Sequence, residues 1–173
     1  MRESLSFLAG LRRLGQRILR LPDVLPWAAV VSWMGVIWYA SASRFPPGPP
    51  HLFWRVLGNL AHAPEFGILA LFLCAALLRP GPQGAWPLVG RSEVVRVLLP
   101  VLIYAIVDEW HQGRTPGRQP SVFDVTTDVT GAVCVLWIVA YLGSPHASEL
   151  GLWARLAGGL LSCVASALLA SLV

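Results

Sequence analysis

Five long apolar runs dominate the sequence and limit what the chain can fold into. They lie near residues 24–42, 56–78, 94–110, 122–142 and 152–172. A helix needs about 20 apolar residues to cross the core of a bilayer, whereas a strand with a free edge would leave backbone groups unpaired there. Charged residues make up 13% of the 173 residues, which is about half the share found in soluble domains. The pattern predicts an all-α fold, a polytopic membrane helical bundle with about five transmembrane helices.

The arginines predict how the bundle is oriented. All 13 Lys or Arg positions are arginine, and five of them precede the first run: Arg2, Arg12, Arg13, Arg17 and Arg20. Because cytoplasmic loops carry the excess of positive charge, we expect the N-terminus and segment 79–93 inside and the loops 43–55 and 111–121 outside. Five spans then leave the C-terminus outside. The net charge of +4 comes largely from the N-terminal arm, so it does not indicate nucleic-acid binding.

Residues 1–23 form this basic arm, which has the periodicity of an amphipathic helix. Five apolar side chains recur at helical spacing opposite the arginines: Leu8, Leu11, Leu14, Ile18 and Leu21. Such a helix is expected to lie flat on the anionic cytoplasmic leaflet, although a solvated basic tail would also explain the charges. A third possibility is that residues 1–42 are a cleaved signal sequence, because Ala40-Ser41-Ala42 resembles a cleavage site after an apolar run.

The last apolar run carries a strip of small residues at every fourth position: Ala154, Gly158, Ser162, Ser166 and Ala170. Strips of this kind let two helices pack closely in lipid. The strip is therefore predicted to dock this helix on the chain's own bundle, or on a second copy in a homodimer.

Polar residues gather at the ends of three of the apolar runs. The second run carries His62 and Glu65. The third ends in four polar residues: Asp108, Glu109, His111 and Gln112. The fourth begins with one helical face: Asp124, Thr127, Asp128 and Gly131. An unpaired charge in lipid costs several kcal/mol, so these side chains are expected to face one another or a wet cleft near the outer leaflet, where Gly131 would allow a close helix approach.

The loop before the fourth run places Arg114 and Arg118 over these carboxylates. Ser121 fits the N-cap of the next helix, with Asp124 three residues later at the position of a capping box. This gives a purely structural interpretation of the polar residues. In it, Ser121 and Asp124 start a helix, and Arg118 pairs with Asp124 and Glu109 as a clasp.

The order of these residues resembles the signature of the VanZ-like family of bacterial membrane proteins. The resemblance covers about residues 27–142. Phe66 stands where the family usually has Tyr, and Asp128, where it usually has Asn, adds a carboxylate. The matching elements are Ser41-Ala42-Ser43, His62 to Phe66, Asp108 to Gln112, Gly117-Arg118, Ser121, Asp124 and Gly131.

The resemblance implies how the chain is divided and where it works. A four-helix VanZ-like core, residues 24–142, would lie between the arm and a C-terminal segment, 143–173, with a loop and an additional transmembrane helix. The family is named for a protein implicated in teicoplanin resistance. A role in the bacterial cell envelope would fit a site that faces outward.

The first functional hypothesis is a binding site for an anionic group of a lipid or cell-wall precursor. Arg114 and Arg118 would grip the group, because their planar guanidinium forks suit phosphate and carboxylate, while other side chains orient it. The candidate ligand-binding residues are His62, Glu65, Asp108, Glu109, His111, Gln112, Arg114, Arg118, Ser121, Asp124 and Asp128.

The alternatives use the same residues for other chemistry. One is an intramembrane metal-dependent hydrolase or transferase acting on a lipid-linked head group, because crowded carboxylates repel one another without a cation. Its candidate metal ligands are His62, His111, Asp124 and Asp128, and its candidate catalytic residues are Glu109, His111 and Asp124. Another is a small proton-coupled transporter with His62 and Glu65 as the relay, although the sequence lacks an inverted repeat.

Overall fold

The computed structural model describes residues 6–42, 51–80, 85–116 and 120–172, and every regular element in these ranges is an α-helix. The predicted all-α membrane helical bundle is confirmed. Its helices are α1 (Phe7–Ile18), α2 (Val24–Ala42), α3 (Leu52–Leu77), α4 (Arg91–Gln112), α5 (Val122–Leu142) and α6 (Glu149–Leu172).

The predicted boundaries are right for α2 and α5, while α3, α4 and α6 begin three or four residues earlier than expected. Their first turns contain charged residues, Arg55, Glu93 and Glu149, which the apolar runs excluded. Glu93 accepts a hydrogen bond from the N–H of Gly90 at 3.0 Å. Acidic side chains stabilise a helix start because they face the positive end of its dipole, so Glu93 and Glu149 favour the earlier starts of α4 and α6, whereas Arg55 does not explain that of α3.

Four helices, α2, α3, α5 and α6, are long and apolar enough to cross a membrane. The chain is thus a multi-pass membrane protein of the predicted kind. α4 has 22 residues and carries acidic groups near both ends. It packs on α2, α3 and α5, and its last turn contacts the start of α5. The predicted span 94–110 therefore corresponds to α4. Its packing in the bundle supports this match, although α4 is not among the four helices that are apolar enough to cross a membrane.

α3 lies at the centre of the bundle, in contact with α2, α4, α5 and α6. Its approach to α5 depends on glycine. A Cβ atom added to Gly131 would collide with the carbonyl oxygen of Ala63, and one added to Gly67 would lie 3.3 Å from Cγ2 of Val135 on α5. The close helix approach predicted at Gly131 is confirmed.

α1 packs on the end of the bundle where α5 ends and α6 begins, which we call the basic end. Arg12 donates hydrogen bonds to the carbonyl oxygens of Leu142 at 2.7 Å and Ser144 at 2.8 Å, and so caps α5. Leu8 is buried, and its N–H donates to Oε1 of Glu149 at 2.9 Å. The arm is helical as predicted, and these contacts favour a docked helix over a solvated tail.

α2 is an integral part of the bundle. Val30 and Ile37 are buried in the core, and Ser41 is buried at the end of the helix. The indole N–H of Trp33 donates to the carbonyl oxygen of Glu65 on α3 at 2.8 Å. These contacts join α2 to the bundle, and the alternative that residues 1–42 are a cleaved signal sequence stays a prediction.

α6 docks on α3 and α5, but its strip of small residues only partly faces them. Ser166 is buried and shares a hydrogen bond with Thr127 at 2.9 Å, whereas Ala154 and Ser162 are exposed. A four-residue repeat winds around a helix by about 40° per step, because each turn takes 3.6 residues. The strip therefore faces the bundle near the end of α6 and turns away from it toward the start of the helix. A homodimer through the exposed part of the strip stays a prediction.

Candidate functional site

Four polar helix ends meet at the end of the bundle opposite α1, which we call the motif end. α2 and α4 finish here, and α3 and α5 begin. The end of α6 lies here too, where the hydroxyl of Ser171 accepts a hydrogen bond from Asn59 at 3.0 Å. The three polar helix ends converge as predicted, and α2 adds a fourth. The convergence brings together residues that are far apart in sequence: Ser41, His62, Asp108, Glu109, Ser121 and Asp128.

Asp108 is fully buried, and both of its carboxylate oxygens accept hydrogen bonds. The hydroxyl of Ser41 donates to Oδ1 at 2.5 Å, and the amide of Gln112 donates to Oδ2 at 2.7 Å. Gln112 lies one turn after Asp108 on the same face of α4, whereas Ser41 reaches across from α2. These contacts support a carboxylate whose burial would otherwise cost several kcal/mol.

His62 joins α3 to α5 through Asp128. It lies ten residues after Leu52, nearly three turns into α3, instead of the two turns expected from a start at residue 56. Its Nδ1 atom is 3.1 Å from Oδ1 of Asp128, which is fully buried. A neutral ring with its proton on Nδ1 donates to this carboxylate and leaves Nε2 available as a ligand atom.

Glu109 joins the end of α4 to the start of α5. Its Oε2 atom accepts the N–H of Ser121 at 2.6 Å, and the Ser121 hydroxyl accepts the N–H of Phe123 at 3.2 Å. Ser121 is thus the N-cap of α5, as predicted. The N–H that a capping box would give to Asp124 goes to Glu109 instead.

His62, Asp108 and Glu109 form a compact group, which we call the acid–histidine centre. Each offers one ligand atom, and these three atoms lie within 4.8 Å of one another. Oε1 of Glu109 and Oδ2 of Asp128 are buried without a hydrogen-bond partner among the described residues. Imidazole and carboxylate groups in such a set can bind a cation or exchange a proton.

The centre differs from the set of metal ligands that the sequence predicts. His62 belongs to it, and Asp128 touches it through the hydrogen bond to His62. Asp124 lies one turn before Asp128 on the same face of α5. His111 stacks on Trp38 of α2 instead, with ring centroids 3.5 Å apart.

A cavity of about 160 Å³ opens beside the centre, between α2, α3 and α4. Its lining is Ala40, Ser41, Gly58, Ala61, His62, Glu65 and Gln112. Ser41 and Gln112 are the two residues that donate to Asp108, so the cavity reaches the centre through their side chains. The predicted binding residues His62, Glu65 and Gln112 therefore line one cavity together.

Arg114, in the loop after α4, lies at the rim of the motif end. Arg114 is exposed and stacks on Trp110, with Cζ 3.1 Å from the ring centroid. A guanidinium held on an aromatic face keeps its charge directed and loses less entropy when it binds an anion. Arg118 lies outside the described residues, and so does the predicted clasp that depends on it.

Two residues of the site were not among the predicted candidates. Ser41 stands in the polar patch after the first apolar run, which marks the patch as polar but does not place it opposite Asp108. Trp38 carries no sequence signal for its stacking on His111, because aromatic residues in apolar runs are usually lipid-facing or core. Both contacts depend on the packing of α2 against α4.

Comparison with known proteins identifies a family that matches most of the chain. The family described as VanZ/LLP1 matches residues 16–143, which is 128 of the 173 residues. The matched range contains α2 to α5 and every candidate site residue, and α6 follows it. No curated protein and no solved structure gives a significant match.

Proposed function

This chain belongs to the VanZ/LLP1 family, and we propose that its motif end binds the head group of an anionic lipid or of a lipid-linked cell-wall precursor in the bacterial envelope. The observation that carries the proposal is the acid–histidine centre beside a cavity lined by His62, Glu65 and Gln112, at one end of a mostly apolar bundle. Ionisable groups buried in a membrane protein are costly, and they usually serve a function.

The rim and the centre suit different parts of such a head group. The guanidinium of Arg114, and that of Arg118 in the same loop, would bind a phosphate or carboxylate through paired hydrogen bonds. The buried carboxylates are acceptors, so they suit hydroxyl or ammonium groups. A head group that carries a phosphate next to hydrogen-bond donors would satisfy both.

The size and place of the cavity support a ligand that enters from the membrane. A volume of about 160 Å³ is below the range of about 300–1,000 Å³ for whole drug-sized ligands, so it fits a head group rather than a complete lipid. Trp38, Trp54 and Trp110 are exposed around the motif end. Tryptophan is enriched where lipid meets water, which supports a cavity near the head-group layer.

We assign the motif end to the outer face of the membrane. The arginines of α1 lie at the opposite end with Arg79, Arg91 and Arg96, and the cytoplasmic side carries the excess of positive charge. A site on the outer face would meet cell-wall precursors after they cross the membrane. That position fits a role in resistance to glycopeptides such as teicoplanin.

A lipid titration tests the proposal. Phosphatidylglycerol, polyprenyl phosphate and phosphatidylcholine would each be titrated into the detergent-purified chain, and the bound fraction measured by native mass spectrometry. We expect both anionic lipids to bind more tightly than phosphatidylcholine. Arg114→Ala should weaken their binding by about 10-fold or more, because a charge-assisted hydrogen bond contributes about 1.5–3 kcal/mol.

Arg79→Ala is the matched control, because it removes an exposed arginine at the basic end. This variant should bind both anionic lipids as the unmutated chain does. Equal affinity for all three lipids, or equal losses in Arg79→Ala and Arg114→Ala, would show that binding reflects general charge or hydrophobicity and would reject the proposal.

The two alternative functions make different demands. A metal-dependent hydrolase or transferase would convert the polyprenyl phosphate or a precursor attached to it, and the product would appear in the same mass spectra. A proton-coupled transporter needs a polar path beyond His62, whereas the buried residues that follow it on α3 are apolar: Phe66, Leu69, Ala70 and Leu73. Binding alone requires neither.

A further inference from the structure

We infer that the acid–histidine centre is a divalent metal site, with His62, Asp108 and Glu109 as ligands for a transition ion such as Zn²⁺ or Mn²⁺. Their ligand atoms lie within 4.8 Å of one another. Metal–ligand bonds to nitrogen and oxygen are about 2.0–2.2 Å, so two ligands of one ion lie at most about 4.4 Å apart. Small side-chain movements would therefore close the group around an ion.

The contact between His62 and Asp128 has the form of a supporting contact in a metal site. Histidine ligands commonly donate the proton of one ring nitrogen to a carboxylate, which fixes the ring and makes the other nitrogen more basic. Nδ1 of His62 has this contact with Oδ1 of Asp128 at 3.1 Å. Nε2 is then the nitrogen left for the ion.

The two carboxylate ligands are supported in the same way. Asp108 is held by the Ser41 hydroxyl and the Gln112 amide, and Glu109 is held by the backbone N–H of Ser121. The support of Glu109 uses Oε2 only. Oε1 is buried and has no partner among the described residues, so the residue presents an open ligand atom to a cation.

Charge gives an independent reason for a cation. Three carboxylates lie around the imidazole of His62. The residues that carry them are each at most 5% exposed: Asp108, Glu109 and Asp128. No arginine among the described residues contacts these three carboxylates. Buried like charges disfavour one another, and a divalent ion would offset two of the three negative charges.

Nitrogen and oxygen ligands together select the kind of ion. Imidazole suits zinc and other transition ions, carboxylate oxygens also suit manganese, and calcium and magnesium prefer oxygen alone. Three protein ligands leave at least one coordination position open. The metal site does not depend on the proposed lipid function. Binding of a head-group phosphate at the open coordination position does rest on that proposed function.

Mn²⁺ and Zn²⁺ binding to the chelator-stripped, detergent-purified chain tests the site. We expect saturable binding of one ion per chain by calorimetry, and a histidine nitrogen ligand in the electron spin-echo modulation of bound Mn²⁺. Asp108→Asn and Glu109→Gln keep the size of each side chain, and Asp128→Asn weakens the support of His62 and removes one of the three negative charges. Each should weaken binding about 10- to 100-fold, as losses around metal sites do. His62→Gln should remove the nitrogen signal.

Glu93→Gln is the control, because it removes a carboxylate at the basic end. It should bind the ion as the unmutated chain does. Even where a variant fails to fold, a missing nitrogen signal in the unmutated chain would count against His62 as a ligand. The inference is overturned by a lack of saturable binding, by bound Mn²⁺ without a nitrogen ligand, or by equal affinity in all variants. If the chain shows no saturable metal binding but still binds anionic lipids selectively, the metal site is rejected while the proposed function stands.

Discussion

Asp108 receives hydrogen bonds from two different helices, and the two donors have different structural roles. Gln112 lies on the same helix, so its contact forms whenever α4 is helical. Ser41 comes from α2, so its contact forms only when α2 and α4 are packed. The Ser41 hydroxyl therefore reports on tertiary structure at the motif end.

Ser41→Ala is expected to destabilise the folded chain. The change leaves Oδ1 of Asp108 buried without its donor, and an unsatisfied buried polar group costs about 1–3 kcal/mol. Ser32→Ala is the matched control, because Ser32 is exposed on the same helix. The midpoint of thermal unfolding in detergent should fall for Ser41→Ala only. An equal midpoint in the two variants would mean that the Ser41 contact does not support the centre.

At the scale of the helices, the distance between α3 and α5 sets the geometry of the site. Gly131 follows Asp128 by three residues, and Ala63 follows His62 by one, so the glycine contact lies directly beside the pair that joins the helices. A larger side chain at this contact would separate Nδ1 of His62 from the Asp128 carboxylate. Helix packing and site geometry are therefore coupled.

Gly131→Ala should destabilise the bundle and weaken the site at the same time. Its new methyl group would collide with the carbonyl oxygen of Ala63, and overpacking of this kind costs about 1–3 kcal/mol. Gly35→Ala is the control, because a Cβ atom there meets nothing within 4 Å and alanine favours a helix by about 1 kcal/mol. Thermal unfolding should show a loss for the first variant and none for the second. Equal midpoints would refute the close contact.

The exposed part of the small-residue strip on α6 belongs to the same scale. Ala154 and Ser162 face away from the bundle, so a second copy could pack there. Ala154→Leu should then shift a dimer toward monomer in light scattering of the detergent-purified chain. Ala157→Leu, on an exposed position about 100° around the helix from Gly158, should leave the dimer intact. A chain that is monomeric before mutation would exclude this interface.

For the molecule as a whole, the sequence predicted the helices well and the site in part. The apolar runs and the polar stretches that bound them suffice to locate α2 to α6 along the sequence, because lipid restricts the chain to helices. His62, Asp108 and Glu109 were each identified, but their grouping was not, since it depends on the rotation of α4 against α3. Helical periodicity does not fix that rotation. The sequence therefore predicts His111 as a candidate metal ligand, whereas in the structure its ring stacks on Trp38.

The orientation of the whole molecule decides which compartment supplies the ligand, and exposed loop positions can test it. Pro116 is exposed at the motif end, and His146 is exposed at the basic end. Because positive charge favours the cytoplasmic side, Pro116→Cys should react with a membrane-impermeant maleimide in intact bacterial cells, and His146→Cys only after permeabilisation. The native cysteines lie within α3, α5 and α6, so the unmutated chain controls for background labelling. The reverse pattern would turn the cavity toward the cytoplasm and exclude cell-wall precursors on the outer face as its ligands.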